Sequence, residues 1–189
     1  MQRLDSFAWK HRNILAGLPL GVMLVSTRWE TEADGVIWPI AIALCALGVA
    51  LRSWASCHCW YAQGRPMTLT SSGPYAYVRN PLYVANILII TSAAVASELE
   101  WLVPAALLWA ALVYARVARY EEDQLLREYG ESFLRYQAEV PGWLPRTLRP
   151  PGPTGERQIG SAAVRQALNS LVLAPFLLKE LNVFGLWTP

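Results

Sequence analysis

The chain has 189 residues, 54% hydrophobic and 16% charged, and its 16 Lys plus Arg against 14 Asp plus Glu leave a net charge of +2. An average soluble domain is about a quarter charged, so this composition disfavours a soluble globular enzyme. The near-balance of charge argues against a nucleic-acid binder, and the apolar content excludes intrinsic disorder.

Uncharged runs set the expected architecture in chain order. Asn13 to Thr27 is 15 residues, Gly35 to Leu51 is 17, Asn80 to Ser97 is 18 and Trp101 to Ala115 is 15. A spanning helix needs about 20 mostly apolar residues, with a lower limit of about 17, and flanking arginines extend each run by snorkelling. Four transmembrane helices are therefore expected, over 13–28, 35–56, 81–97 and 101–118. Gln166 to Leu178 adds 13 uncharged residues with Pro175 inside, so 160–181 is a candidate fifth membrane or interfacial helix. The expected fold class is all-α: one domain over 1–189, an integral membrane helical bundle with four to five transmembrane helices and a cytoplasmic helical extension.

Charge gives orientation. Lys10 and Arg12 precede the first span, Arg52, Arg65 and Arg79 follow the second, and acidic residues occupy the intervening turns. The positive-inside rule then puts the amino terminus, the loop from Arg52 to Arg79, and 116–157 in the cytoplasm. Trp9, Trp29, Trp38, Trp60, Trp101 and Trp187 fall near predicted helix ends, as an interfacial belt requires, whereas Trp109 is expected to pack between helices.

Two polar stretches carry chemistry. The first runs from Gly64 to Tyr83 and ends Gly73-Pro-Tyr-Ala-Tyr-Val-Arg-Asn-Pro-Leu-Tyr83. Pro81 suits a first helical position with Asn80 as N-cap. Such a helix start exposes backbone N–H groups that attract an anion, and Arg79 adds a fixed charge. The second stretch continues the fourth span through Arg116, Arg119 and Glu121-Glu122-Asp123 to Tyr129 and Gly130. Arg119 shares a helix face with Glu122 and Asp123, so by itself this cluster reads as a solvated, salt-bridged face. Adjacent Glu121 and Glu122 lie about 100° apart on the wheel, so at most one points straight at a given ligand. Cys57-His58-Cys59 cannot wrap one tetrahedral zinc, and three cysteines suggest no disulfide framework. No metal site is expected, and without a Gly-x-Gly-x-x-Gly run no Rossmann site either.

At these residues the sequence resembles the integral-membrane isoprenylcysteine carboxyl methyltransferases and the related phospholipid and thiol methyltransferases of bacteria. That family's pattern is Gly-x-Tyr-x-x-x-Arg-His-Pro-x-Tyr, then Glu-Glu and a Phe-Gly-Glu-x-Tyr-x-x-Tyr-x-x-x-Val-Pro tail. Here Glu121-Glu122, Tyr129-Gly-Glu-Ser-Phe-Leu-Arg-Tyr136 and Val140-Pro141 stand at the same spacing. The resemblance covers roughly residues 64 to 145. It implies a multi-pass enzyme of the bacterial inner membrane, with S-adenosylmethionine taken from the cytoplasm and a lipophilic acceptor taken from the bilayer. By the same resemblance the cofactor contacts are Met67, Thr68, Leu69, Thr70, Tyr75, Asn80, Pro81, Leu82, Tyr83 and Glu121, with Arg79 and Glu122 beside them.

Two positions depart from the pattern. The family's His is Asn80, which keeps hydrogen bonding without an ionisable ring. The family's acceptor-binding Arg falls on Val117, flanked by Arg116 and Arg119, which are the candidates to position the acceptor. Prenylcysteine, phospholipid amine, fatty acid, quinol-like and thiol acceptors all stay open. The rival readings are a sterol-type membrane reductase using NADPH, disfavoured by Leu82 and the Glu-Glu-Asp run, and a non-enzymatic membrane scaffold, which leaves both motifs unexplained.

Overall fold

The computed structural model describes residues 2–25, 34–58 and 69–146, with the isolated helical positions 174, 175 and 178. Six α-helices occur there, α1 Gln2–Lys10, α2 Arg12–Val25, α3 Asp34–His58, α4 Pro81–Ala96, α5 Leu102–Tyr129 and α6 Glu131–Glu139, with a 3-10 turn at Gly73–Ala76. Among the described residues there is no strand. The chain is all-α, as its hydrophobic runs require.

The expected number of spans is revised. Among the described residues two helices, Gly35–His58 and Leu102–Tyr129, are long and apolar enough to cross a membrane, fewer than the four to five expected. At 1.5 Å per residue α3 and α5 reach about 37 and 42 Å, whereas α4 reaches about 24 Å against a hydrocarbon thickness of about 30 Å. The candidate fifth helix lies outside the described residues, as do Met67 and Thr68. Large apolar side chains such as Val36, Ile40, Leu47, Leu108 and Leu112 point outward from α3 and α5, the distribution expected of helices facing lipid.

Small residues bring α3 and α4 close. Ala41, Cys45 and Ala55 are buried on α3, with Gly48 in the same stripe, and Ala85, Ser92, Ala93 and Ala96 are buried on α4. A Cβ at Gly48 would lie 2.8 Å from Ile89 Cγ1 and 3.1 Å from the Ala85 carbonyl oxygen, so this crossing requires glycine. α5 packs along the other side against α1, α2 and α4, burying Ala110, Val113, Tyr114 and Val117 with Ala8, Ala16 and Tyr83.

Two details show how the helices are fastened. Pro19 inside α2 has no N–H, so the Leu15 carbonyl four residues earlier loses its helical donor. The Trp109 indole N–H of α5 donates to that carbonyl at 2.7 Å, which ties the two helices together. Trp109 thus bridges helices, although it stays partly exposed. At the far end of α5, Gly130 adopts φ +52° and turns the chain into α6, whose Phe133 and Tyr136 pack back with Val140 against Leu125 and Tyr129.

Candidate active site

The two polar motifs meet. Gly73 has φ +59°, and a Cβ there would come within 2.5 Å of the His58 ring, so glycine is needed both for the backbone and for the contact. His58 Nδ1 also lies 3.1 Å from Ser72 Oγ, which docks the 3-10 turn onto the end of α3. From the other side the Tyr136 hydroxyl donates to the Tyr75 carbonyl at 2.7 Å. Burial pushes the Tyr136 hydroxyl pKa well above the usual phenol value, opposed by Arg79 and assisted by Glu122, so it remains a donor.

Arg79 and Asn80 then clip the carboxyl-terminal motif to the start of α4. The Arg79 guanidinium donates to both Glu122 oxygens, at 3.0 and 3.3 Å, to Val140 O at 2.7 Å and to Gln137 O at 3.2 Å. Asn80 Nδ2 donates to Glu122 Oε1 at 3.2 Å and to Gly142 O at 3.3 Å, so its side chain makes no N-cap bond. The backbone follows the same path, with Arg79 N donating to Pro141 O at 2.8 Å and Asn80 N to Gly142 O at 3.2 Å. This geometry replaces two sequence expectations. Glu122 pairs with Arg79 rather than with Arg119, and Arg79 spends four N–H donors on the protein instead of presenting an open fork.

Glu121 faces elsewhere, as adjacent positions on a helix must. Its Oε1 accepts the Trp9 indole N–H at 3.1 Å, from α1. Tyr83 stacks on Tyr114 with ring centroids 5.1 Å apart. Asn86 on α4 accepts a hydrogen bond from the Arg52 guanidinium of α3. Arg12 donates to the Trp9 carbonyl at 3.0 Å and lies 5.3 Å from the Trp9 ring centroid. Five helices thus contribute Trp9, Arg12, Arg52, Tyr83, Asn86, Tyr114 and Glu121 to one polar ring inside an otherwise apolar bundle.

The remaining sequence candidates divide. Pro81 and Tyr83 are buried at the start of α4, where Pro81 lacks an N–H and the Tyr83 and Val84 amides both donate to the Asn80 carbonyl, while Leu82 is partly buried there. Leu69 packs on the α6 core and Thr70 is partly exposed. Arg116 and Arg119 are exposed, and Arg119 Nε bonds Ala115 O of its own helix at 3.3 Å, away from the ring. Val117 is fully buried in the apolar core. Sequence reasoning assigned Trp9 to the interfacial belt and Arg12 and Arg52 to topology. The available signal was Arg52, which interrupts an apolar stretch from Gly35 to Gly64, because an ionisable residue inside a span marks function by default.

A profile of the phospholipid methyltransferase family matches residues 39–132, which hold most of α3, all of α4 and α5, and both glutamates. The cobalt-zinc-cadmium resistance protein CzcN of Cupriavidus metallidurans is 33% identical over 151 residues, covering 76% of this chain and 68% of the relative. The chain belongs to the phospholipid methyltransferase family. The nickel-cobalt-cadmium resistance protein NccN of Alcaligenes xylosoxydans xylosoxydans is 31% identical over 150 residues, with 76% of this chain and 68% of the relative covered. A phosphatidylethanolamine N-methyltransferase of Yarrowia lipolytica is 28% identical over 142 residues, 69% of this chain but 15% of that larger protein. No solved structure gives a significant match. Phospholipid methyltransferases are integral membrane methyltransferases, in keeping with the two long apolar helices. Among the described residues no group of three or more His, Cys, Asp or Glu could hold a metal ion, and the metals in the two resistance-protein names are said of those proteins.

Proposed function

We propose that this protein transfers a methyl group from S-adenosylmethionine to a lipophilic acceptor at the cytoplasmic surface of the membrane, with its amino terminus on that side. One observation carries the reading: Arg79 and Asn80, from the first motif, both hydrogen-bond Glu122, from the second, across a sequence separation that only the fold closes. The residues fit the cofactor chemically. Glu121 Oε1 takes the Trp9 N–H, and a carboxylate's two oxygens offer about four lone-pair sites, which leaves capacity for ribose hydroxyls. The aromatic faces of Trp9, Tyr83 and Tyr114 suit a cationic sulfur, for which cation–π attraction contributes about 0.5–2 kcal/mol.

S-adenosylmethionine supplies a methyl that is already activated, so no nucleophile-activating triad is required. The chain's own residues have three tasks: to hold the two reactants close, to balance the sulfonium charge with Glu121, and to keep water out with buried Tyr83 and Tyr114. The Arg79–Glu122 clip supports this by fixing the register of the two motifs without touching the reacting atoms. Asn80 in place of an ionisable ring is consistent with a pocket that moves no proton at that position.

The test is titration of S-adenosylhomocysteine into the purified chain, with Glu121→Gln and Tyr83→Ala alongside. Both variants should weaken binding at least about tenfold, the scale of a lost charged hydrogen bond; Glu121→Gln should stay near the wild-type unfolding midpoint, whereas Tyr83→Ala, which empties a core position, should lower it while still folding. Wild-type affinity in both would discredit the site. Incubation with methyl-labelled cofactor and total membrane lipid extract then identifies the acceptor by what becomes labelled.

A further inference from the structure

The amino-terminal helix reaches the second motif from outside the stretch that the family profile matches, since α1 lies ahead of residue 39. Ala8 is buried in the same cluster as Tyr83, Tyr114, Val117 and Ala118, and Trp9 packs against that cluster. This docking carries the Trp9 indole N–H to 3.1 Å from Glu121 Oε1 across 112 residues. Two further contacts hold the indole: the Tyr120 ring, with centroids 5.6 Å apart, and the Arg12 guanidinium, 5.3 Å from the Trp9 centroid. Arg12 also donates to the Trp9 carbonyl at 3.0 Å, so the backbone and the ring of this residue are both tethered.

The adjacent glutamates thus have different fates. Glu122 faces a guanidinium and an amide, so its charge is neutralised within the protein. Glu121 accepts an uncharged donor, which fixes an oxygen and leaves the negative charge in place, and among the described residues it makes no ion pair. Holding a glutamate in one rotamer costs conformational entropy, and an indole that is already packed meets this cost before any ligand arrives. A Lys or Arg in its place would cancel the charge that a sulfonium needs. We propose that Trp9 is a positioning residue for cofactor binding: its indole N–H holds the Glu121 carboxylate in the orientation that receives S-adenosylmethionine, which makes α1 a working part of the site. The inference rests on the methyl-transfer reading and adds the element that presets its carboxylate.

The experiment titrates S-adenosylhomocysteine into the full chain in neutral detergent. Trp9→Phe keeps an aromatic face and deletes the donor, and 3-benzothienylalanine at position 9 keeps the bicyclic shape as well. Each should weaken binding about tenfold, the scale of a lost hydrogen bond to a charged group. Made on top of Glu121→Ala, the same changes should weaken it by less than about twofold, because no carboxylate is left to position. A side chain that served packing alone would weaken binding equally in both backgrounds, and that result overturns the proposal, as does unchanged affinity in a folded donorless chain. Should Trp9→Phe not fold, the 3-benzothienylalanine chain carries the comparison. Should Glu121→Ala bind too weakly to titrate, the nuclear magnetic resonance signal of the Trp9 indole N–H, identified by its loss in either donorless chain, decides. It should shift as S-adenosylhomocysteine is added, and an unmoved signal at saturation overturns the proposal. A wild-type chain that binds no S-adenosylhomocysteine overturns the methyl-transfer reading and this inference with it, whereas wild-type binding indifferent to the indole donor overturns the inference alone.

Discussion

Arg79→Ala isolates what the clip does. The mutation removes four hydrogen bonds at once and leaves the Glu122 carboxylate with Asn80 as its described donor. The side chains of the pair are 14% and 18% exposed, much nearer a buried pair than a surface one. Stripping one partner from a buried pair costs about 3–5 kcal/mol, whereas an exposed pair is worth about 0–1 kcal/mol. With Asn80 still donating, Arg79→Ala should cost about 3 kcal/mol. Glu122→Ala should cost less, because the guanidinium keeps two carbonyl partners and some access to water. The double variant should be milder than the sum, with a coupling energy of about 2 kcal/mol in a double-mutant cycle.

Equilibrium unfolding in mixed micelles gives the cycle, and hydrogen exchange over residues 131–142 shows where stability is lost. Because α6 and the 140–142 segment hang on this clip, their amides should lose protection before those of α3 or α4. A coupling energy below about 0.5 kcal/mol would refute the reasoning. S-adenosylhomocysteine affinity supplies the second readout. If Arg79 acts by holding the motifs in register, an apolar pair such as Arg79→Met with Glu122→Leu recovers much of the binding lost by Arg79→Ala. A guanidinium needed directly by the cofactor would show no such recovery.

Two further outcomes follow from single contacts. Trp109→Phe leaves the Leu15 carbonyl without its donor and should cost about 1–2 kcal/mol; adding Pro19→Ala restores a helical N–H, so the thermal midpoint of the double variant should exceed that of Trp109→Phe. A double variant no more stable than the single one would show that the indole bond does not compensate the proline. Tyr136→Phe removes one hydrogen bond to the Tyr75 carbonyl and should cost about 1 kcal/mol. Since burial raises the Tyr136 pKa above its unfolded value of about 10, the wild-type advantage is fully present below about pH 10 and declines as pH rises through the folded value. Stability measured in wild type and variant across neutral and alkaline pH checks this, and an advantage growing above pH ~10 would contradict the sign.

Much of this protein is readable without coordinates, and the reason is local. Composition and run length report which segments cannot remain in water, so the all-helical class and the positions of α3, α4 and α5 follow from the sequence. The start of α4 at Pro81 is equally local, because proline lacks the N–H that a first turn leaves unused. The two motifs mark themselves through glycine, proline and charge at fixed spacing, and the separation of Glu121 from Glu122 around the helix follows from 100° per residue. Run length could not tell a spanning helix from a shorter packed one, since helix ends are set by neighbours and turns as well as by hydrophobicity.

Tertiary structure decided which charge meets which. On one helix Arg119 and Glu122 are natural partners, yet Arg79 reaches Glu122 from 43 residues away because α6 and the 140–142 segment fold back over the start of α4. Trp9 meets Glu121 across 112 residues because α1 packs along α5, and Arg52 meets Asn86 because small side chains let α3 and α4 approach closely. Local sequence specifies the strength of a charge and the direction it leaves its own helix. The partner it finds depends on how helices distant in sequence cross, and that is a property of the packed bundle as a whole.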